Sequence, residues 1–382
     1  MIALYRLILL AVLASCLCAA TSFAADAPDI KTLDPAMAAP SADGATLWFN
    51  ARELGIENQG WTALKHPYDR LPAEAEGVVP DPVWSLSHHS AGLCVRFITN
   101  SPAIAARWSL RSSNLAMNHM AASGVSGLDL YVKHEGAWGW IGSGQPGKQE
   151  GNETTLLSKA PEGAHEYMIY LPLYNGIESL DVGIQPGATL GKAPEYPKEK
   201  AKPILFWGSS ILQGGCATRP GMAYPSIIGR RMQRPIINLG FSGNGRMDPP
   251  LVALIAKLDV AAYVIDCAPN MDPGLITERT GPLVKTLRDA HPDTPIVLVE
   301  NVPYQQGWFR SESRDAYVTK NAALKAAYEK LGADGVKGLY YIPCDQLFGT
   351  DHEATVDGTH ATDLGFLRMA DVIEPVLRRI LE

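Results

Sequence analysis

Pro203-Ile204-Leu205-Phe206-Trp207-Gly208-Ser209-Ser210-Ile211-Leu212-Gln213-Gly214-Gly215 is the stretch on which the reading of this chain turns. An apolar run breaks into glycine and serine, as a buried strand does when it ends in a turn. The turn presents hydroxyls. Further apolar runs follow: Ile204-Leu205-Phe206 is succeeded by Ile236-Ile237-Asn238-Leu239, Ala262-Tyr263-Val264-Ile265, Ile296-Val297-Leu298-Val299 and Leu339-Tyr340-Tyr341-Ile342. Helix-like segments separate them, roughly Tyr224–Gln233, Pro250–Leu258, Leu275–Ala290 and Arg314–Leu331, and a last one covers about Asp363–Leu381. Pro225 and Pro249-Pro250 suit helix starts, where a missing N–H costs little. Strand–helix alternation with near-continuous apolar strands predicts an α/β fold, an open flavodoxin-like parallel sheet over residues 203–382, covered on both faces. Sites in such sheets lie beyond the C-terminal ends of the strands, where Ser210 falls.

Residues 46–185 have another texture. Short runs rich in aromatic and β-branched residues, such as Leu93–Ile98, Ala105–Leu110, Leu128–Val132 and Glu166–Leu171, alternate with Gly, Pro, Asn and Ser clusters. They predict antiparallel strands in a β-sandwich or jelly roll, without a long helix. Residues 186–202, rich in Pro, Gly, Lys and Glu, read as a linker between two domains, and residues 25–45 as a flexible leader.

At the start of the chain, Arg6, an apolar run from Leu7 to Leu17 and the small residues through Ala24-Ala25 predict a signal peptide over residues 1–24. The run is short for a membrane span. Leu13-Ala14-Ser15-Cys16 also resembles a bacterial lipobox, which would leave a lipid anchor on Cys16. Both readings export the protein, to the periplasm or the medium, and no other stretch resembles a transmembrane segment.

A net charge of −7 without a Lys/Arg cluster argues against nucleic acid as a partner, since phosphates need a basic footprint. Beyond the leader there are four cysteines, Cys94, Cys216, Cys267 and Cys344, too scattered for a disulfide framework or a zinc site. They are expected to be buried small hydrophobes, although Cys216 and Cys267 flank the proposed site and one pairing stays open. Gly142-Ser143-Gly144-Gln145-Pro146-Gly147 spells G-x-G-x-x-G but opens no helix, so it reads as a turn. His88-His89 reads as a pair of surface histidines rather than metal ligands, and Trp138 and Trp140 as core packing or, alternatively, a sugar-stacking platform. The G-x-S-x-G elbow of α/β-hydrolases is missing.

Four stretches carry complementary chemistry. They are Gly208-Ser209-Ser210, Asn238-Leu239-Gly240-Phe241-Ser242-Gly243-Asn244-Gly245, Asp266-Cys267-Ala268-Pro269-Asn270 and Asp357-Gly358-Thr359-His360. A serine hydroxyl needs a base, and histidine is the usual one near neutral pH. A carboxylate then orients the imidazole, and Asp357 lies one tight turn before His360. The N–H groups of Ser210 and Gly243 and the side-chain amide of Asn270 are candidate oxyanion donors, with Gly240 and Gly245 as alternative glycines. Arg219, Met222, Asn301 and Tyr304 fall at the predicted mouth of the cleft.

In order and type the four blocks resemble those of the SGNH (GDSL-type) hydrolases, over roughly Pro203 to Glu382. The resemblance implies Ser210, Gly243, Asn270 and His360 as the four name-giving residues, with Asp357 completing the triad. The family's Gly-Asp-Ser is Gly208-Ser209-Ser210 here. The replaced aspartate is no triad member, so activity is still expected. Gly127-Leu128-Asp129-Leu130-Tyr131 is similar to the G-x-D-L-Y signature of a β-domain that precedes some of these hydrolases, usually described as carbohydrate esterases. The expectation is an exported serine esterase that removes small acyl groups, above all acetyl, from an acylated carbohydrate without metal or organic cofactor. A lipase or long-chain esterase and a glycan-binding protein with a vestigial catalytic domain are the alternatives.

Overall fold

Fifteen strands arranged in three sheets of five organise residues 31–382, which are the residues described by the computed structural model. The signal-peptide and Cys16 readings lie outside the described residues. The first ten strands are β1 (Ala39–Pro40), β2 (Leu47–Asn50), β3 (Cys94–Thr99), β4 (Ala103–Leu110), β5 (Leu128–His134), β6 (Ala137–Gly144), β7 (Asn152–Ser158), β8 (His165–Tyr170), β9 (Ile177–Ile184) and β10 (Leu190–Lys192). They form two antiparallel sheets, ordered β1-β2-β9-β4-β7 and β10-β3-β8-β5-β6. Alternation drives the packing. In β4, Ile104, Ala106, Trp108 and Leu110 are buried, while the residues between them are half-buried. These side chains meet Val95 and Phe97 of β3 and Leu128 and Leu130 of β5, so the two sheets share one apolar core.

The last five strands are β11 (Ile204–Gly208), β12 (Ile236–Gly240), β13 (Ala262–Asp266), β14 (Ile296–Val299) and β15 (Leu339–Ile342). All their pairings are parallel and the order is β12-β11-β13-β14-β15, the flavodoxin-like 2-1-3-4-5. Phe206, Val264 and Val297 face the helices Tyr224–Met232 and Asp363–Leu381. Leu205, Trp207, Tyr263 and Leu298 face Pro249–Ile255 and Pro273–Ala290.

Two segments read as leader and linker are built into sheets instead. Leu33 N–H donates to the Leu190 carbonyl at 2.8 Å, and β1 pairs with β2. β10, inside the expected linker, pairs with β3 through Leu190–Thr99 and Gly191–Ile98. Edge pairing of this kind uses backbone groups and needs no hydrophobic alternation, so the sequence pattern does not reveal it.

Between β2 and β3 the chain is mostly irregular, not strand-like, and it crosses to the parallel sheet. Leu71, Ala75, Val79 and Val83 join the apolar layer that holds Leu205, Trp207, Ile237 and Leu239. The same segment completes the exposed side of β12. Asn58 Oδ1 accepts the Ile236 N–H at 3.1 Å. Arg70 Nη1 donates to the carbonyls of Asn238 at 3.1 Å and Gly240 at 2.8 Å, while Nε and Nη2 reach those of His89 and Leu86. Unpaired edge groups are thereby satisfied within the chain. Replacing Arg70 by Met should remove charged hydrogen bonds to four buried or half-buried carbonyls and lower stability by about 3 kcal/mol. The shift in urea midpoint measures this, and a shift below a quarter of that size would refute the role.

Candidate active site

Ser210 opens the short helix Ser210–Gln213 directly after β11. Ser209, fully buried, caps that helix in an extended conformation, its Oγ accepting the Ile211 N–H at 3.3 Å. Capping fits the serine that replaces the family's aspartate. Ser210 keeps a small exposed fraction of 8%. Its Oγ lies 2.9 Å from His360 Nε2, and His360 Nδ1 lies 2.7 Å from Asp357 Oδ2. The other Asp357 oxygen, Oδ1, accepts the N–H groups of Thr359 at 2.9 Å and His360 at 2.8 Å. One three-residue turn thus delivers both imidazole and carboxylate. Partial burial pushes the Asp357 pKa up, but the His360 and Thr359 donors outweigh it and hold the carboxyl below its usual range. An ionised Asp357 keeps the proton of His360 on Nδ1 and leaves Nε2 to accept from Ser210.

The three glycines at and after the end of β12 separate by the partners of their N–H groups. Gly240 donates to Asn238 Oδ1 at 2.8 Å and Gly245 to Asn270 Oδ1 at 3.1 Å. The Gly243 N–H has no acceptor among the described residues, and its φ of +70° favours glycine. Gly245 has a different constraint, since a Cβ there would lie 2.2 Å from the Gly208 carbonyl oxygen. By accepting from Gly245, Asn270 Oδ1 fixes the amide plane and leaves Nδ2 as a donor.

The profile of the GDSL-like lipase/acylhydrolase family matches residues 201–378, and that of the N-terminus of SGNH-hydrolase-type esterases matches residues 46–190. A GDSL-like lipase from Bacteroides ovatus is 38% identical with a TM-score of 0.83, over 88% of this chain and 98% of its own. The chain belongs to the GDSL-like lipase/acylhydrolase family. More distant structures share the fold. A salicylyl-acyltransferase from a tetracycline biosynthetic pathway has 18% identity and a TM-score of 0.69, covering 93% of this chain and 98% of that one. An acetyl xylan esterase from the rumen bacterium Butyrivibrio proteoclasticus has 12% identity and a TM-score of 0.56, covering 87% and 99%. None of the curated proteins matches this chain.

In this acylhydrolase the N-terminal half reaches Ser210 from several sides. Tyr174 OH donates to the Ser210 carbonyl at 3.0 Å. Gln213 Nε2 donates to the Leu173 carbonyl and to His89 Nδ1, while its Oε1 accepts the N–H of Ser242, next to Gly243. Burial and the nearby Arg70 push the His89 pKa down to about 3, so the ring stays neutral and can accept. His88 and His89 are therefore not the surface pair expected from sequence. His88 is held by Asp69 at 2.8 Å. Neither histidine showed its partner in the sequence, because Asp69 and Gln213 are brought to them only by the fold.

The G-x-D-L-Y signature grips the loop after the nucleophile. The fully buried Asp129 accepts from Arg219 Nη1 at 2.8 Å and from the Gly221 N–H at 2.9 Å, and the same guanidinium donates to Tyr131 OH at 2.5 Å. Arg219 also lies over the Trp140 ring, 4.9 Å from its centroid. Trp138 packs against Cys94, Tyr131, Met168 and Tyr170. His119, in the loop after β4, meets the His360 ring edge-on at 5.8 Å and was not foreseen from sequence. His119, Asp357 and His360 bring ligand atoms within 4.8 Å of one another, although Asp357 is already engaged by His360. Asn301 departs from its expected place at the cleft mouth. It is fully buried and exchanges hydrogen bonds with Asn321. Met222 is buried as well, and Tyr304 OH accepts from Lys320 at 3.2 Å. All four described cysteines are free and buried, so Cys216 and Cys267 are unpaired.

Asp266 ends β13 beside Gly208, and Tyr224 OH donates to its Oδ2 at 3.0 Å. Burial raises its pKa to about 8, against the lowering effect of that hydrogen bond. The native state therefore keeps a proton that the unfolded chain releases above about pH 4. Stability from this group falls as pH rises from the unfolded value to the folded one, by at most about 1.4 kcal/mol per pH unit. Asp266→Asn should lose that slope. Urea midpoints of both proteins between pH 5 and pH 8 measure it, and parallel profiles would contradict the assignment.

Proposed function

We propose that this acylhydrolase is an exported serine esterase that removes small acyl groups, foremost acetyl, from a carbohydrate. The observation that carries the reading is the relay from Ser210 Oγ to His360 Nε2 at 2.9 Å and from His360 Nδ1 to Asp357 Oδ2 at 2.7 Å. In this reading Ser210 Oγ attacks the ester carbonyl while His360 Nε2 takes its proton. The N–H groups of Ser210 and Gly243 and the Asn270 amide hold the oxyanion. Collapse of the tetrahedral intermediate expels the sugar alkoxide, which receives the proton from His360. Water, deprotonated by His360, then releases the acid and restores Ser210.

The carbohydrate part of the reading draws on fold similarity to an acetyl xylan esterase and on the N-terminal β-sheets that resemble those ahead of such esterases. Export rests on the signal-like start of the chain. The two antiparallel sheets with one shared core are read as a β-sandwich domain, residues 46–185, that braces a catalytic domain, residues 203–382.

Purified protein should hydrolyse p-nitrophenyl acetate. Ser210→Ala should abolish the reaction with folding intact, whereas Ser209→Ala should keep it at a stability cost of about 1 kcal/mol for the lost cap. Asn270→Ala should lower kcat about a hundred- to thousandfold. A folded and fully active Ser210→Ala protein would sink the mechanism, and a strong preference for long acyl chains would replace the acetyl reading by a lipase.

A further inference from the structure

A cavity of about 550 Å³ lies beyond the C-terminal ends of β14 and β15. Its walls are the turn Gln305–Trp308, the first half of the helix Ser311–Ala333 and the loop of residues 344–352. We propose that this cavity is a sugar subsite, which takes a pyranose ring of the carbohydrate bearing the ester. The proposal rests on the carbohydrate-esterase reading above and gives it a place for the substrate's remainder.

Trp308 and Phe309 are consecutive and 67% and 80% exposed, the two most exposed large apolar residues described. Scattered exposed apolar side chains are ordinary, but two consecutive exposed aromatics, one of them lining a cavity, are not. The Trp308 ring is held in place. It stacks on His352 at 5.3 Å with 21° between the planes, and Phe309 tilts against it at 5.4 Å. A pyranose offers an apolar C–H face and a rim of hydroxyls. An aromatic plane suits the face, and side chains that both donate and accept suit the rim. Lys325 and Asp345 line the same cavity, and neither has an ion-pair partner among the described residues. A free cation and a free anion together fit a neutral polyhydroxyl ligand. An acyl chain would have to displace water from both.

The cavity is tied to the catalytic turn. Gln305 N–H donates to the Gly358 carbonyl at 2.8 Å, and Thr355 Oγ1 donates to Gln305 Oε1 at 2.8 Å. Gln306 lies so close under Gly358 that a Cβ there would sit 2.6 Å from its Nε2. The turn that carries Trp308 is thus tied to the turn that carries Asp357 and His360.

Trp308→Ala and Trp308→Phe test the subsite with two substrates, p-nitrophenyl acetate and acetylated xylo- and cello-oligosaccharides. Trp308→Ala should raise KM for the acetylated oligosaccharides about tenfold with kcat little changed. It should leave p-nitrophenyl acetate hydrolysis within twofold, and Trp308→Phe should recover most of the loss. Equal losses on both substrates would mean that the turn merely supports Asp357, and unchanged KM values would overturn the subsite. Binding of the unacetylated oligosaccharides to the Ser210→Ala protein, followed by isothermal titration calorimetry, separates the two readings. Binding that is lost in the Ser210→Ala/Trp308→Ala protein, with no acetate released by the wild type, keeps the subsite and rejects the esterase reading. No binding and no saccharide turnover rejects both.

Discussion

An edge strand with unpaired backbone groups is the constraint around which this protein is assembled. β12 closes one side of the parallel sheet, and the loop that follows it carries Gly243. Asn58 and Arg70, from the N-terminal half, occupy the groups that β12 exposes. An open edge invites pairing with another chain, whereas a guanidinium bonded to two of its carbonyls fixes the strand end. The fixed end matters for the proposed chemistry, in which the free Gly243 N–H would meet a developing charge from one fixed place.

The same logic recurs on the other side of the nucleophile. Gln213 joins the helix of Ser210 to Ser242 and to His89. Asp129 and Tyr131 hold Arg219 and Gly221 in the loop that follows. The antiparallel sheets thus act on the site by positioning backbone, and a short turn, Asp357–His360, brings imidazole and carboxylate together. Fixed positions of this kind suit a reaction whose geometry tolerates little displacement.

Buried groups around the site are arranged so that charge is kept where it serves. His89 is held neutral and accepts from Gln213, Asp266 is raised toward protonation behind the nucleophile strand, and Asp357 is kept ionised by three donors. Two of these three titratable groups are thus uncharged near neutral pH and one is ionised. Burial without a counter-charge sets the first two, and donated hydrogen bonds set the third.

Much of this was legible in the residues. The five parallel strands appeared as apolar runs because a strand buried on both faces must be apolar throughout. The residues of the four blocks were legible because a small turn motif lies local in sequence, as Asp357 and His360 do. That Ser209 caps the helix of Ser210 came only from the structure. The choice among Gly240, Gly243 and Gly245 was not legible, since it depends on which N–H finds an acceptor in three dimensions. Nor were Arg70, His89, Gln213, Asp129 and His119 readable as parts of one site. Their partners are distant in the chain, and pairing at a sheet edge or through a side chain leaves no period in the sequence. The sequence by itself determined the five parallel strands, the turn and the types of reactive group. Tertiary structure alone decided which N–H stays free and which half of the chain holds it, because hydrogen-bond satisfaction is a property of neighbours in space.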